Sequence, residues 1–177
     1  MLRDQEGATQ PDASVTPAAR ATGVIVGLHR TPRGMLPMKS FPELRLIMGK
    51  GVEGDRYSTG EGYLTEKLAG LGTTDQRQVT LFEDEALQML FNEHGVSMTM
   101  EEHRRNITTR GISLPSLAGK YFRIGEATLE GFATTPCKHI EEMIGKRIVP
   151  LMMLSPGLNA RIILPGMVRV GDTIHIL

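Results

Sequence analysis

What most constrains this chain is how often it is interrupted. Twenty glycines and ten prolines punctuate 177 residues, and the segments between them are short and rich in β-branched and aromatic side chains. In order they are GVIVGLHR from Gly23, QVTLF at 78–82, KYFRIG, ATLEGFA, NARIILP and the closing VRVGDTIHIL. Runs of this length bounded by turn residues read as strands, with Val24, Val26 and Leu28 alternating as the core face of the first. Gly125 with Glu126 and Gly171 with Asp172 supply turns between successive strands. Helical signals are fewer. TLFEDEALQMLFNEHG predicts one helix, with Thr80 and Glu83 spaced as a capping box and Gly95 as its stop. Leu87, Leu90, Phe91 and His94 fall on one face of it and are expected to pack against the core. A second short helical stretch is expected from Met98 to His103. Many short strands with few short helices predict a mainly β fold, a closed or nearly closed β-barrel.

The length suits one core, and the composition divides the chain unevenly. Residues 1–21, MLRDQEGATQPDASVTPAARA, lack the large apolar side chains needed to offset ordering entropy and are expected to form a flexible tail. The barrel domain is expected over residues 22–177. Between Thr31 and Gly72, Pro and Gly recur often enough to predict short strands joined by loops whose backbone N–H groups can face a ligand. Twenty basic residues balance twenty acidic ones, so the chain lacks the long-range positive field of a nonspecific nucleic-acid binder. No run approaches the roughly 20 apolar residues of a membrane span, and residues 1–21 have no apolar stretch of the kind a secretory signal needs. A soluble, cytoplasmic protein without nucleic-acid or membrane partners is expected.

Two groups of residues carry chemistry. The single cysteine, Cys137, stands in TTPCKHIEEMIG, after Pro136 and at the start of a predicted helical turn. Unpaired N–H groups and Lys138 and His139 would favour its thiolate, which suits a nucleophile or a soft-metal ligand. A lone cysteine is equally often a small packed hydrophobe, and local chemistry leaves the two readings open. The second group is basic: Lys39 and Ser40 in LPMKS, Arg56 in GVEGDRY, and Arg104, Arg105, Asn106, Thr108 and Arg110 in HRRNITTRG. Guanidinium forks and short hydroxyl or amide donors beside glycine-rich loops suit an anionic cofactor. Taken one at a time, these residues also suit a solvated surface, and Arg56 suits a structural bridge to Asp55 or Glu53. The histidines at 29, 94, 103, 139 and 175 show no zinc-ligand spacing, and no dinucleotide or phosphate-loop glycine motif occurs.

The ordered series LPMKS, GVEGDRY, RQVTLFEDEAL, RRNITTRGISLPSLAGKYFRIGEATLEG, TTPCKHIEEM and GLNARIILPGMVRVGDTIHIL resembles the MOSC family, the domain named for the C-terminal part of molybdenum cofactor sulfurase. The resemblance covers residues 23–177 and implies a β-rich barrel whose signature cysteine is Cys137. It also implies two alternative functions. In the first, Cys137 ligates molybdenum, and Lys39, Ser40, Arg56, Arg104 and Asn106 contact the molybdenum cofactor in an N-hydroxy reductase. In the second, the thiolate carries persulfide sulfur from a pyridoxal-phosphate cysteine desulfurase. The chain has no flavin, haem or iron–sulfur motif, so the reductase reading requires an electron-donor reductase as partner, and the carrier reading requires the desulfurase. A small molecule is the expected substrate. Pro136 precedes Cys137 where some cofactor-binding relatives carry Thr, which removes a hydroxyl contact that Thr134 or Thr135 would have to replace. A third class, a noncatalytic binding module with a packed Cys137, stands beside both.

Overall fold

The computed structural model describes residues 22–62, 65–72, 74–136, 138–153 and 155–177. The expected tail over residues 1–21 and the expected roles of Cys137 fall outside these described residues.

The strands are β1 (Thr22–Arg30), β2 (Lys39–Ser40), β3 (Glu43–Ile47), β4 (Gly51–Val52), β5 (Val79–Glu83), β6 (Ile107–Arg110), β7 (Tyr121–Ile124), β8 (Ala127–Ala133), β9 (Leu158–Leu164), β10 (Gly166–Arg169) and β11 (Thr173–Ile176). Between them lie short helices: α1 (Thr65–Gly70), α2 (Asp84–His94), α3 (His139–Ile144) and α4 (Val149–Met152). Strands β11, β7, β8, β9, β5, β6 and β1 pair in that order, and β1 pairs back onto β11. The expected barrel is therefore closed, with seven strands, and closure removes the exposed edges of an open sheet. β10, β3 and β4 form a small second sheet beside it.

Most neighbours run antiparallel, but β5 and β6 are parallel, with Leu81 opposite Ile107. A parallel pair cannot be joined by a tight turn. The chain therefore leaves the barrel after β5 through α2 and the 95–106 segment before returning as β6. Two apolar clusters divide accordingly. Ile25, Leu28, Leu81, Ile107, Phe122, Leu129, Ile162 and Ile174 help fill the barrel. Phe82, Leu87, Leu90, Met98, Ile140, Ile148 and Met152 join α2 to α3 and α4 outside it. The second cluster places the segment around His139 against the β5–β6 side, where the site is built.

Four local expectations are corrected. In β1, Ile25 and Leu28 are buried while Val24 and Val26 are half-buried, because the β1–β6 register shifts between Ile25 and Gly27. One extra residue in the strand re-phases its alternation. Gly27 suits this place because a Cβ there would lie 2.8 Å from His29 Nε2 and 2.9 Å from Met100 Sδ. The Thr80–Glu83 capping box is not formed. α2 begins at Asp84, Thr80 Oγ1 donates to Asn106 Oδ1 at 2.9 Å, and a Glu83 carboxylate oxygen accepts from Leu114 N at 2.6 Å. On α2, Leu87 and Leu90 are buried, whereas Phe91 and His94 are exposed. Met98–His103 is a run of turns instead of a helix, closed by Glu102 N to Thr99 O and Arg104 N to Glu101 O, with Arg104 at φ 60°.

Candidate functional site

A cavity of about 50 Å³ lies where the loops before β5 and β6 meet α3 and α4. Four arginines line it, Arg56, Arg77, Arg104 and Arg105, together with Tyr57 and His103. Gly34, His139, Ile140 and Met152 complete its wall. Water needs roughly 10–15 Å³ measured in this way, so the space admits a small anionic group.

Local structure explains how these charges are held. Arg56 is 4 % exposed and donates to Asp55 Oδ1 at 3.2 Å, to Met38 Sδ at 2.9 Å and to the Arg104 carbonyl at 2.8 Å. Asp55 also accepts from Thr31 N and Tyr57 N, so the adjacent Asp55–Arg56 pair is structural as well as site-forming. Arg104 takes a left-handed backbone, a strained choice for a residue with a Cβ. Its side chain donates to the carbonyls of Leu36 at 2.9 Å and Gly34 at 2.5 Å, which ties the 34–36 loop to the site. Burial, and then the neighbouring Arg56 charge, lower the Arg104 pKa to about 10, so the guanidinium remains cationic at neutral pH. Arg77 packs over the Tyr57 ring at 5.3 Å, with Arg56 at 5.0 Å from the same ring. Arg77 Nε is buried without a hydrogen-bond partner among the described residues. A buried donor left unpaired costs about 1–3 kcal/mol, more when it is charged, and a ligand that accepts its hydrogen bond removes that cost.

Behind this cavity runs a chain of side-chain hydrogen bonds whose direction is set at one end. Arg105 N–H can only donate, so His103 Nδ1 accepts it at 2.9 Å and His103 carries its proton on Nε2. That Nε2–H donates to Thr108 Oγ1 at 2.8 Å, Thr108 donates to His29 Nε2 at 3.0 Å, and His29 Nδ1–H donates to Ser40 Oγ at 3.1 Å. Ser40 then donates to Glu101 Oε1 at 2.5 Å. Both histidines are neutral in this pattern. Burial lowers the pKa of His29, and burial, followed by repulsion from His29 whenever that ring is protonated and from Arg105, pushes that of His103 well down. Glu101 lies at the far end. The Ser40 hydrogen bond is the main reason its pKa is lowered, so it is anionic at neutral pH.

The residues expected to contact one ligand are thus distributed. Arg56 and Arg104 meet in the cavity, and Arg105 joins them. Ser40 caps Glu101, and Lys39 faces a different cleft with Arg30 and Phe41. Asn106 is 1 % exposed and fastens β5 to β1, its Oδ1 accepting from Thr80 N and Oγ1 and its Nδ2 donating to the His29 carbonyl. His139, two residues after Cys137 in the sequence, lines the cavity. Arg77, Tyr57 and His103 were not singled out by the sequence reasoning. The signal for Arg77 was a basic residue at the entrance to the buried QVTLF strand. Among the described residues, no group of three or more His, Cys, Asp or Glu is placed to hold a metal ion, and no helix is long and apolar enough to cross a membrane.

Comparison with known proteins places the fold. The YuaD protein of Bacillus subtilis superposes with a TM-score of 0.72 at 21% identity, covering 89% of this chain and 96% of that one. YiiM from Escherichia coli gives a TM-score of 0.62 at 18% identity, covering 87% of this chain and 69% of that one. YiiM from Geobacillus stearothermophilus gives 0.59 at 15% identity, covering 89% and 74%. No match was found among curated protein sequences. The model of the MOSC domain matches residues 69–175, which contain β5 to β10, most of β11 and the arginine pair at 104–105. By that match and that fold, the chain belongs to the MOSC domain family.

Proposed function

We propose that the arginine-lined cavity holds the phosphate of a molybdenum cofactor, and that the protein acts on a small N-hydroxylated compound with an external electron donor. The observation that carries this reading is the partnerless, buried Arg77 Nε in a cavity already walled by Arg56, Arg104 and Arg105. Such a set of donors fits a phosphoryl group, which can accept from several guanidinium forks at once. Arg56 and Arg104 are fixed by their own backbone partners, so they present charge without a large ordering cost on binding. Cys137 supplies the soft thiolate that molybdenum prefers, and the bound metal provides the two-electron redox chemistry. The chain's own contribution is to bind and orient the anionic end and to keep neutral histidines behind it. Sulfur carriage by Cys137 does not call for four guanidinium groups around one cavity, which is why the cofactor reading is preferred.

Elemental analysis of protein purified from a host that makes the cofactor tests the reading. Near-stoichiometric molybdenum, lost in Cys137→Ala, is expected. Metal absent from both proteins contradicts it, and a labile extra sulfur on Cys137 after incubation with a desulfurase would favour the carrier role.

A further inference from the structure

The arginines of the cavity are not all held in the same way. Arg56 is fixed by Asp55 Oδ1, Met38 Sδ and the Arg104 carbonyl, and Arg104 by the carbonyls of Gly34 and Leu36. Arg77 ends the single helical turn Thr74–Arg77 that leads into β5. Among the described residues no carboxylate lies within 4.0 Å of its guanidinium, and its Nε is buried without an acceptor. What it meets is an aromatic ring. The guanidinium carbon of Arg77 lies 5.3 Å from the centroid of Tyr57, and that of Arg56 lies 5.0 Å from the same centroid. The electron-rich face of a ring attracts a cation within about 6 Å. One ring therefore offsets part of the repulsion between two cations that reach the cavity from different segments of the chain.

The ring is itself placed with little freedom. Asp55 opens a tight turn, in which its carbonyl accepts from Ser58 Oγ at 2.7 Å and Thr59 N at 3.1 Å. Its carboxylate accepts from Tyr57 N at 3.3 Å and from Arg56 at 3.2 Å, so one residue orients both the guanidinium and the ring beside it. Gly62 then closes against the ring. A Cβ there would lie 2.5 Å from Tyr57 Cε1 and 2.6 Å from Cδ1, far inside van der Waals contact. Glycine is required at 62 because the ring occupies the space of any larger residue. These contacts engage the backbone and ring of Tyr57, and none of them engages its hydroxyl.

We infer that Tyr57 is a positioning residue of the anion site, whose ring, and not its hydroxyl, keeps Arg77 in the cavity beside Arg56 so that one oxyanion meets both guanidinium groups. The inference rests on the proposed reading of the cavity as an anion site, and adds a residue that acts on the anion through the arginines. Without the ring, Arg77 regains the freedom of a long side chain and is repelled by its charged neighbours. It then has to be ordered anew whenever an anion binds, which weakens binding.

The test uses the full chain without cofactor and inorganic phosphate as the probe, with affinity read by calorimetry and Arg77 followed at its ¹⁵Nε–H resonance. Tyr57→Phe keeps the ring and is expected to bind phosphate within about twofold of the unsubstituted protein, with the Arg77 resonance shifting as before. Tyr57→Leu keeps an apolar side chain without the ring. It is expected to bind about tenfold more weakly, with an Arg77 Nε–H that exchanges rapidly with water and no longer shifts on titration. Gly62→Ala reaches the same ring from a residue outside the cavity lining. By displacing the ring it is expected to weaken binding about threefold, and it decides the question if Tyr57→Leu shows no cooperative urea transition. A folded Tyr57→Leu or Gly62→Ala protein that binds as tightly as the unsubstituted one, or a Tyr57→Phe protein as weak as Tyr57→Leu, overturns the inference and leaves the anion site standing. An unsubstituted protein that takes up no phosphate contradicts the anion site itself, and this inference with it.

Discussion

Two polar groups, each with buried members, lie side by side in this protein and are built on opposite plans. In the His103–Thr108–His29–Ser40–Glu101 chain every donor meets an acceptor, in a direction fixed by one backbone N–H. Four arginines line the arginine cavity, Asp55 is the carboxylate paired with Arg56, and Arg77 Nε has no hydrogen-bond partner among the described residues. A satisfied buried network specifies structure, and an unsatisfied one costs stability until a ligand completes it. The difference separates the residues whose hydrogen bonds the fold itself completes from Arg77, whose Nε–H is left for an acceptor, although both groups are polar and lie side by side.

That contrast can be broken at several points. The largest effect is expected from Thr108→Val, which keeps the shape of the side chain but orphans His103 Nε2–H and His29 Nε2. Unfolding in urea should show a loss of roughly 2–4 kcal/mol, whereas an unchanged midpoint would mean that the chain does not contribute to the fold. Next in size is acid sensitivity. Burial holds both histidines below the ordinary histidine pKa of 6.5, so the unfolded chain takes up protons first as pH falls. Their contribution is complete above about pH 6.5 and declines below it, at up to roughly 1.4 kcal/mol per pH unit for each proton. Stability measured from pH 8 to pH 5 should fall on the acid side, and the fall should be shallower in Thr108→Val.

The arginine cavity should respond in the opposite sense. Arg77→Gln removes the Nε–H donor that has no acceptor among the described residues, so thermal stability should hold or rise, while inorganic phosphate affinity falls by about 10- to 100-fold, as for one charged hydrogen bond. Retained affinity would place the anion elsewhere. Lys39→Ala gives the smallest effect. Lys39 is exposed and faces the Arg30–Phe41 cleft, so stability should change by no more than about 0.5 kcal/mol and calorimetric phosphate binding should change little.

How much of this was legible in the sequence follows from the range of each interaction. The strand segments, the buried β5 and the turn at Gly125–Glu126 were readable because periodicity and turn chemistry are local. The β1 bulge was not, since the extra residue is defined only by its partner β6. Thr80 and Glu83 had the spacing of a capping box, but Asn106 offered Thr80 a stronger competing partner from 26 residues away. The basic segments at 56 and 104–105 were readable as candidates, and the structure brings them to one cavity. Arg77, alone in its segment, gained meaning only from Tyr57 and the arginines around it. The histidine chain links positions 29, 40, 101, 103 and 108, and no spacing rule connects residues 79 apart.

The most direct test of the central claim follows Arg77 itself. A titration of the ¹⁵N-labelled protein with inorganic phosphate, observed at the Arg77 Nε–H resonance, should give a saturable shift and slowed exchange with water as that buried donor gains an acceptor. The His103 and His29 ring nitrogens should keep their tautomers throughout. An Arg77 Nε–H that stays unmoved at saturating phosphate, or moves only linearly with concentration, would contradict the assignment of the cavity as an anion site.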